Sequence, residues 1–562
     1  MRPRRTLSCA AILALLLVAC DASPGPAPPR DAPPEAADVV EAPVDAPTSP
    51  TCTPCPAGQL CAEGRCVDPC AWAAETRAYQ GCEFHAVGTL NAGLGRFVPG
   101  AAREDFPFSI ALTNPWDVPV EVTLDGGSLG VTRRETLAPH GAQTFALPWV
   151  RALVEGVDPD AAASVVVRGG AVRVRASAPV AAYQFNPVGF LSLKGCEEER
   201  CYAYSNDASL LLPTTALRRQ YMVASWPTTR VRPRGATRWQ RTSGFVAVVG
   251  VADTPTEVTV RLHARTAAGD GIEAGTAGAT LRQTLARGDV LQLVSDNRGT
   301  CVTPEPDTVR GDIFCQPVAE EDLTGTIVES SGAPVAVFAG HDCALVPHDR
   351  YACDHLEEQM PPTESLGRRY VVARTPPVAM EPDLVRVVAT RPGTRVTFDP
   401  ERAHAPVTLA ATGDFVEFEQ RESFALTATE PVLVAQYLVG GDYDPARLSV
   451  GRGDPDLVIV PPADQVRARY AFVAAPGFAL STAVVTVPRG ERLWLDDALV
   501  RATPAGTVAG FDVLHLPVEP GAHTLISSRP TVRFGLLVSG VAPATSYTYP
   551  AGLDLMPIAP PL

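Results

Sequence analysis

The chain is almost without lysine: Lys194 stands alone against 46 arginines. With so much Ala, Pro and Gly, that one-sided choice reflects a GC-rich coding sequence, and the arginines carry no nucleic-acid signal in themselves. Helical periodicity over more than 12 residues is also missing, which excludes a helix bundle. After residue 20 no run of 18 apolar residues occurs, which excludes a later transmembrane helix. G-x-S-x-G, H-E-x-x-H and P-loop patterns are absent. His85, His140, His263, His404, His515 and His523 stand singly and form no constellation. No catalytic residue, metal site or cofactor is therefore assigned. With 62 acidic residues against 47 basic ones the net charge is −15, which disfavours nucleic acid and anionic lipid surfaces as partners.

What is present starts with Arg2, Arg4 and Arg5 ahead of an apolar run from Ala10 to Ala19, the grammar of a signal peptide. The run is too short to span a bilayer. It ends in Leu17-Val18-Ala19-Cys20, which resembles a bacterial lipobox. Residues 1–19 are then the signal, and Cys20 is the lipidated first residue of the mature chain, anchoring it in the membrane of the cell envelope. Residues 20–50 form a stalk with nine prolines from position 21 onward and almost no large apolar side chain. Such a segment cannot bury a core and is expected to stay extended.

Beyond Cys9 and Cys20 there are twelve cysteines, an even number suited to an oxidising compartment. Four fall in a knot at 51–69. Cys52-x-x-Cys55 has zinc-ligand spacing, but no histidine assists, and disulfides are expected. Of three connectivities, Cys52 with Cys61 and Cys55 with Cys66 is the one chosen. Cys70 and Cys82 bracket a short helix. Cys196 with Cys201, Cys301 with Cys315 and Cys343 with Cys353 are expected to close loops between strands.

The remainder reads as β: short runs rich in Val, Thr and Phe, bounded by Gly, Pro, Asn and Asp. One strand recurs four times, as SAPVAAYQFN (Ser177–Asn186), SSGAPVAVFAGHDC (Ser330–Cys343), TEPVLVAQYL (Thr429–Leu438) and SRPTVRFGLL (Ser528–Leu537). Other anchors recur with it in fixed order. A strand opens with Tyr221, Tyr370 and Tyr470. A Val-Thr strand starts at Pro119, Pro255 and Gly393, and more weakly at Gly490. The expected fold is all-β: about four tandem β-sandwich-like units after the small disulfide-rich segment, at 70–205, 206–352, 353–452 and 453–562, strung into an elongated body. A β-propeller-like arrangement is the alternative, although propeller blades repeat at only about 40–50 residues.

A connector precedes each tyrosine strand: NDASLLLPT from Asn206, CDHLEEQMPP from Cys353 and GDPDLVIVPPADQ from Gly453. An acid (Asp207, Asp354, Asp454), an apolar run and a proline recur in each. These connectors resemble the IgGFc-binding protein N-terminal domain family, over most of residues 70–560. The resemblance implies an extracellular binding or adhesion role without catalysis, toward a protein or polysaccharide ligand. It carries over no binding residue.

Among local features, the loop His341–His355 is singled out as the candidate binding loop, with His341, Asp342, His348, Asp349 and Arg350 inside or beside the Cys343–Cys353 pair. It is charged and found in no other copy of the repeat. Asp442, Asp444, Asp454 and Asp456 could be read as calcium ligands, but the EF-hand pattern is incomplete. Arg452-Gly453-Asp454 is a chance tripeptide in a chain rich in all three residues. The tryptophans are expected in cores rather than on a sugar-binding face. An envelope hydrolase and a purely structural scaffold are the competing functions.

Overall fold

The third repeat shows how the sequence makes the fold. Thr394–Asp399 alternates, with Thr394, Val396 and Phe398 buried and Arg395 and Asp399 exposed. That is the period of a strand with one wet face. Thr256–Arg261 of the second repeat has the same pattern. The recurring Pro-Val strand differs: Val432–Tyr437 is buried at every position, as is its neighbour Asp383–Ala389. Both lie in a sheet covered on both faces, and for that reason they show no alternation.

The computed structural model describes residues 52, 54–92, 94, 103–155, 163–189, 205–376, 381–441, 443, 453–543 and 545–562. Asp45–Leu562 falls in one unit of the chain, to which everything below refers. It is all-β apart from short helical turns and the helix Pro69–Thr76, which Asp68 caps by accepting from Ala71 N at 2.9 Å.

In the third repeat Arg369–Val372, Phe424–Ala428, Thr394–Asp399 and Val407–Leu409 form one antiparallel sheet, in that spatial order. Phe415–Gln420, Asp383–Ala389, Val432–Tyr437 and Leu457–Ile459 form the second. Both sheets feed one core that includes Tyr370, Val387, Val396, Phe424 and Val432. Each such side chain contributes about 1.5–3 kcal/mol of burial. The second repeat has the same order, Gln220–Met222, Ile327–Ser330, Thr256–Arg261 and Thr280–Leu285 over Val290–Val294, Gly244–Gly250, Val335–Leu345 and Cys353–Gln359. The fourth repeats it with Arg469–Ala474, Gly521–Ser527, Leu493–Leu495 and Ala498–Leu499 over Phe511–Pro517, Leu480–Pro488, Gly535–Ala542 and Thr545–Pro550. In the first, the long strand Val172–Phe185 serves both sheets. It pairs with Gly81–Ala86 and Val120–Gly126 mainly through its first half, and with Phe108–Thr113 and Ala208–Leu211 through its second.

The recurring tyrosine acts as a clamp. Tyr221 accepts from Arg218 N at 2.9 Å and donates to Val335 O at 2.6 Å. Tyr370 does the same between Gly367 N and Val432 O, and Tyr470 between Arg467 N and Phe534 O. Each hydroxyl thus ties the entry of its unit to the Pro-Val strand, with the ring filling the core.

Strand pairing places each connector with the unit before it. Ala208–Leu211 pairs with Val172–Phe185, Cys353–Gln359 with Val335–Leu345, and Leu457–Ile459 with Val432–Tyr437. These return strands, with Thr545–Pro550, touch one another in a closed cycle. The units accordingly do not string out. Val165–Val167 pairs with Val290–Val294, binding the first unit to the second. Shared apolar clusters join the second to the third, the third to the fourth, and the fourth to the first. An elongated body was the wrong expectation, because the Pro-Val sheets are apolar on their outer faces too and have to be covered.

Among the described residues the second unit alone carries an extra sheet, ordered Gln240–Thr242, Thr229–Arg232, Ile313–Cys315 and Pro304–Pro306. Disulfides join Cys52 to Cys61, Cys55 to Cys66, Cys70 to Cys82, Cys301 to Cys315 and Cys343 to Cys353. Cys20, Cys196 and Cys201 lie outside the described residues.

Candidate functional site

The loop at His341–His355 divides between interior and surface. His341 and Asp342 belong to the strand Val335–Leu345 and are buried. His341 Nδ1 accepts from Cys343 N at 3.1 Å, and burial pushes its pKa down to about 3. Asp342 accepts from Ala92 N at 2.6 Å, which fixes a segment of the first unit to the second. His355 is buried as well, stacked on Phe245 and within 3.2 Å of the Thr89 hydroxyl. Of the five candidate side chains only His348, Asp349 and Arg350 reach solvent. His348 Nε2 meets Glu305 at 2.8 Å, and Arg350 pairs with its neighbour Asp349. The five side chains are therefore not brought together on one face.

His348 instead borders a cavity of about 250 Å³ between the second and third units, along with Trp226, His263, Asp322, Arg386 and Phe415. Arg386 is its dominant group. Its side chain is 3% exposed, yet it is fully paired, with Asp322 at 2.9 Å and Glu417 at 2.7 Å. It also donates to Ser225 O at 2.8 Å. Its guanidinium lies 4.3 Å from the Trp226 ring centroid and 4.7 Å from that of Phe415. Burial works against its charge, but Asp322, Tyr437 and Glu417 more than offset it, and its pKa is raised. Planar stacking with bidentate pairing is a task for arginine and not lysine. The sequence signal was there to see: one charge inside the apolar strand DLVRVVA. This arrangement locks two units together, and its cation is already spent.

A second concentration of chemistry lies where the return strands meet. Asp207, Asp354, Glu357, Glu358 and Asp456 are all buried there. Glu357 accepts from Gln184 at 2.8 Å, Asn186 at 3.0 Å and Ser209 at 3.0 Å, and burial pushes it up to about 7. Asp456 accepts from Thr548 at 2.8 Å and is pushed up by burial to about 8. Asp207 spans two units, accepting from Ala208 N and Glu357 N, both at 2.8 Å; burial, with Asp456 nearby, raises it. These acids favour their neutral forms, bind one another's strands, and are closed to any substrate.

The remaining sequence candidates have plain placements. Asp442 and Asp444 lie outside the described residues, while Asp454 and Asp456 are buried just ahead of the return strand Leu457–Ile459. Arg452 is not described, and Asp454, at 2% exposure, cannot be displayed to a partner. Cys52, Cys55 and Cys66 lie close together, but as disulfides they offer no thiolate. Trp226 and Trp494 are buried, and Trp226, Trp149 and Trp116 each donate to a backbone carbonyl.

A family profile described as IgGFc binding protein matches residues 207–540. The match starts on the return strand of the first unit and runs through the second and third into the fourth. The human IgGFc-binding protein is 29% identical over 362 residues, which cover 63% of this chain and 6% of that protein. On the strength of the profile match, more than half its length, this chain belongs to the IgGFc-binding protein family.

Proposed function

We propose that this chain is a non-catalytic binding or adhesion protein of the cell envelope, held by a lipid on Cys20 and lifted from the membrane by the stalk at 20–50. The observation that carries the reading is the family match, which lies on the folded units themselves. The name of the human relative makes immunoglobulin Fc one partner to test, and an extracellular polysaccharide is another. Disulfides tying the surface of the second unit support an oxidising compartment. The four repeated units, divided near 70–205, 206–352, 353–452 and 453–562, serve as framework. The unrepeated parts of the second unit, its extra sheet and the turn at His348–Arg350, are where a partner docks.

Two experiments test this. Cys20→Ser should move the protein from the membrane fraction to the soluble one; if it still fractionates with lipid, the anchor is wrong. Immobilised chain should retain either immunoglobulin Fc or a polysaccharide fraction of the envelope, and failure with both would remove the binding function.

A further inference from the structure

Between Ala208 and Ala252 the chain has seven arginines and not one aspartate or glutamate, where its average composition would place about five. Five of these arginines ride on a hairpin that, among the described residues, only the second unit possesses. Thr229–Arg232 pairs with Gln240–Thr242, and residues 233–239 form the tip. There Ala236 N donates to Pro233 O at 2.9 Å, and Gly235 takes φ 78°, a left-handed value that suits glycine. Arg234 and Arg238 are exposed, and Arg232 and Arg241 half-buried. The Arg232 guanidinium lies 5.3 Å from the Trp239 ring centroid.

Arg230, on the same hairpin and directly opposite Arg241, shows what the other four lack. It turns inward and binds Glu321 through two hydrogen bonds of 2.6 and 2.8 Å. Among the described residues no carboxylate pairs with Arg232, Arg234, Arg238 or Arg241. The acids nearby are committed elsewhere: Asp312 to the Arg234 amide, Asp307 to the amides of Val309 and Arg310, and Glu305 to His348. Many surface arginines elsewhere are paired, as Arg282 is with Glu257, Arg368 with Glu430 and Arg402 with Glu422, and exposed ones with no carboxylate partner among the described residues, such as Arg134, Arg395 and Arg501, are scattered over the first, third and fourth units. Codon bias explains why these bases are arginine. It does not explain why four arginines with no carboxylate partner are gathered on one hairpin.

The hairpin is also held firmly. Val231 packs with Phe314 and Leu345, and Cys315 at the end of the adjoining strand is bonded to Cys301. A cationic surface fixed in this way loses little freedom when it binds.

We propose that this hairpin is a binding surface for an anionic polysaccharide, with carboxylate or sulfate groups pairing with Arg232, Arg234, Arg238 and Arg241 and a sugar ring packing on Trp239. The planar fork of arginine fits such oxyanions. A nucleic-acid duplex fits less well. It is stiff over about 150 base pairs and carries a charge every 1.7 Å or so, so it would extend past four cations onto a body of net charge −15. A flexible saccharide can follow the hairpin alone. The assignment names the ligand class for the binding function proposed above and rests on it for its biological role.

The test is titration of the full chain with dextran sulfate, with neutral dextran and a 20-base-pair DNA duplex as comparisons. The chain should bind dextran sulfate, with affinity falling as salt rises, and should bind neutral dextran not at all and the duplex at least tenfold more weakly. R234S/R238S should lower dextran sulfate affinity about tenfold and reduce the log–log salt slope by about two, with an unchanged circular dichroism spectrum. R402S, which removes a paired arginine, should change neither. Dextran sulfate binding that is absent at low salt, or indifferent to R234S/R238S, or no tighter than duplex binding, would overturn the proposal. A chain that still retains envelope polysaccharide despite such a result remains a binding protein with its site elsewhere; a chain that retains neither Fc nor polysaccharide loses the function itself.

Discussion

The Tyr79 hydroxyl binds both backbone groups of Ala471, accepting from its N–H at 2.9 Å and donating to its carbonyl at 3.1 Å across 392 positions of sequence. The pair joins the first unit to the fourth, so the first and last repeats hold each other. Tyr79→Phe keeps the ring and leaves a buried amide without its partner. The expected cost is about 1–3 kcal/mol, read as a lower thermal midpoint. An unchanged midpoint would mean that the first and fourth units are not coupled through this contact.

The three tyrosine clamps should behave alike, because Tyr221, Tyr370 and Tyr470 each bridge an entry amide and the carbonyl of a Pro-Val strand. Replacing any one by Phe should destabilise by about 1–3 kcal/mol, with the three values agreeing within a factor of two or so. Denaturant titration of the three variants checks this, and a neutral substitution at any of them would show that the repeat is one of sequence only.

Arg386 predicts a larger effect. Arg386→Met leaves Asp322 and Glu417 facing each other without a cation, and breaking a buried pair in this way costs about 3–5 kcal/mol. Arg386→Lys should recover only part of that, since it restores the charge but not the stacking on Trp226 and Phe415. Full recovery by lysine would show that charge alone holds the second and third units together.

The buried acids set a pH dependence. Glu357 and Asp456 hold their protons up to about 7 and 8, whereas in the unfolded chain such groups ionise near 4. The folded state therefore binds more protons over that range, and stability falls as pH rises. His341 and His355, pushed down by burial to about 3, act the other way, but only below their unfolded value near 6.5. His85 and His515 are lowered by burial too; all four contributions fade as pH rises past 6.5, and above about pH 7 the acids prevail. Stability should fall from pH 7 to 8.5, by up to about 1.4 kcal/mol per pH unit for each titrating group, and Glu357→Gln should flatten the slope. A thermal midpoint that rises over this interval would show that these carboxyls are ionised in the folded protein.

The repeats were legible for a physical reason. A Pro-Val strand covered on both faces has to be apolar at every position, and a clamp needs a tyrosine at one fixed place, so both leave a signature in sequence. The Val-Thr strands kept their alternation because one face stays wet. Register between distant strands leaves no such mark. The connectors therefore read as the start of the next unit, although Ala208–Leu211, Cys353–Gln359 and Leu457–Ile459 pair backward. His341 and Asp342 look like surface chemistry beside a cysteine, and only the pairing of Val335–Leu345 on both sides shows that they are buried. The free arginines of the hairpin were hidden by the abundance of arginine everywhere; the missing acids around them were the signal.

Binding, as opposed to conversion, is tested most directly by passing a size-defined envelope polysaccharide fraction over the immobilised chain and measuring what salt elutes. A binding protein should retain the polymer saturably and release it with its size distribution unchanged. Elution of shortened chains, or retention no greater than on heat-denatured protein, would contradict that function.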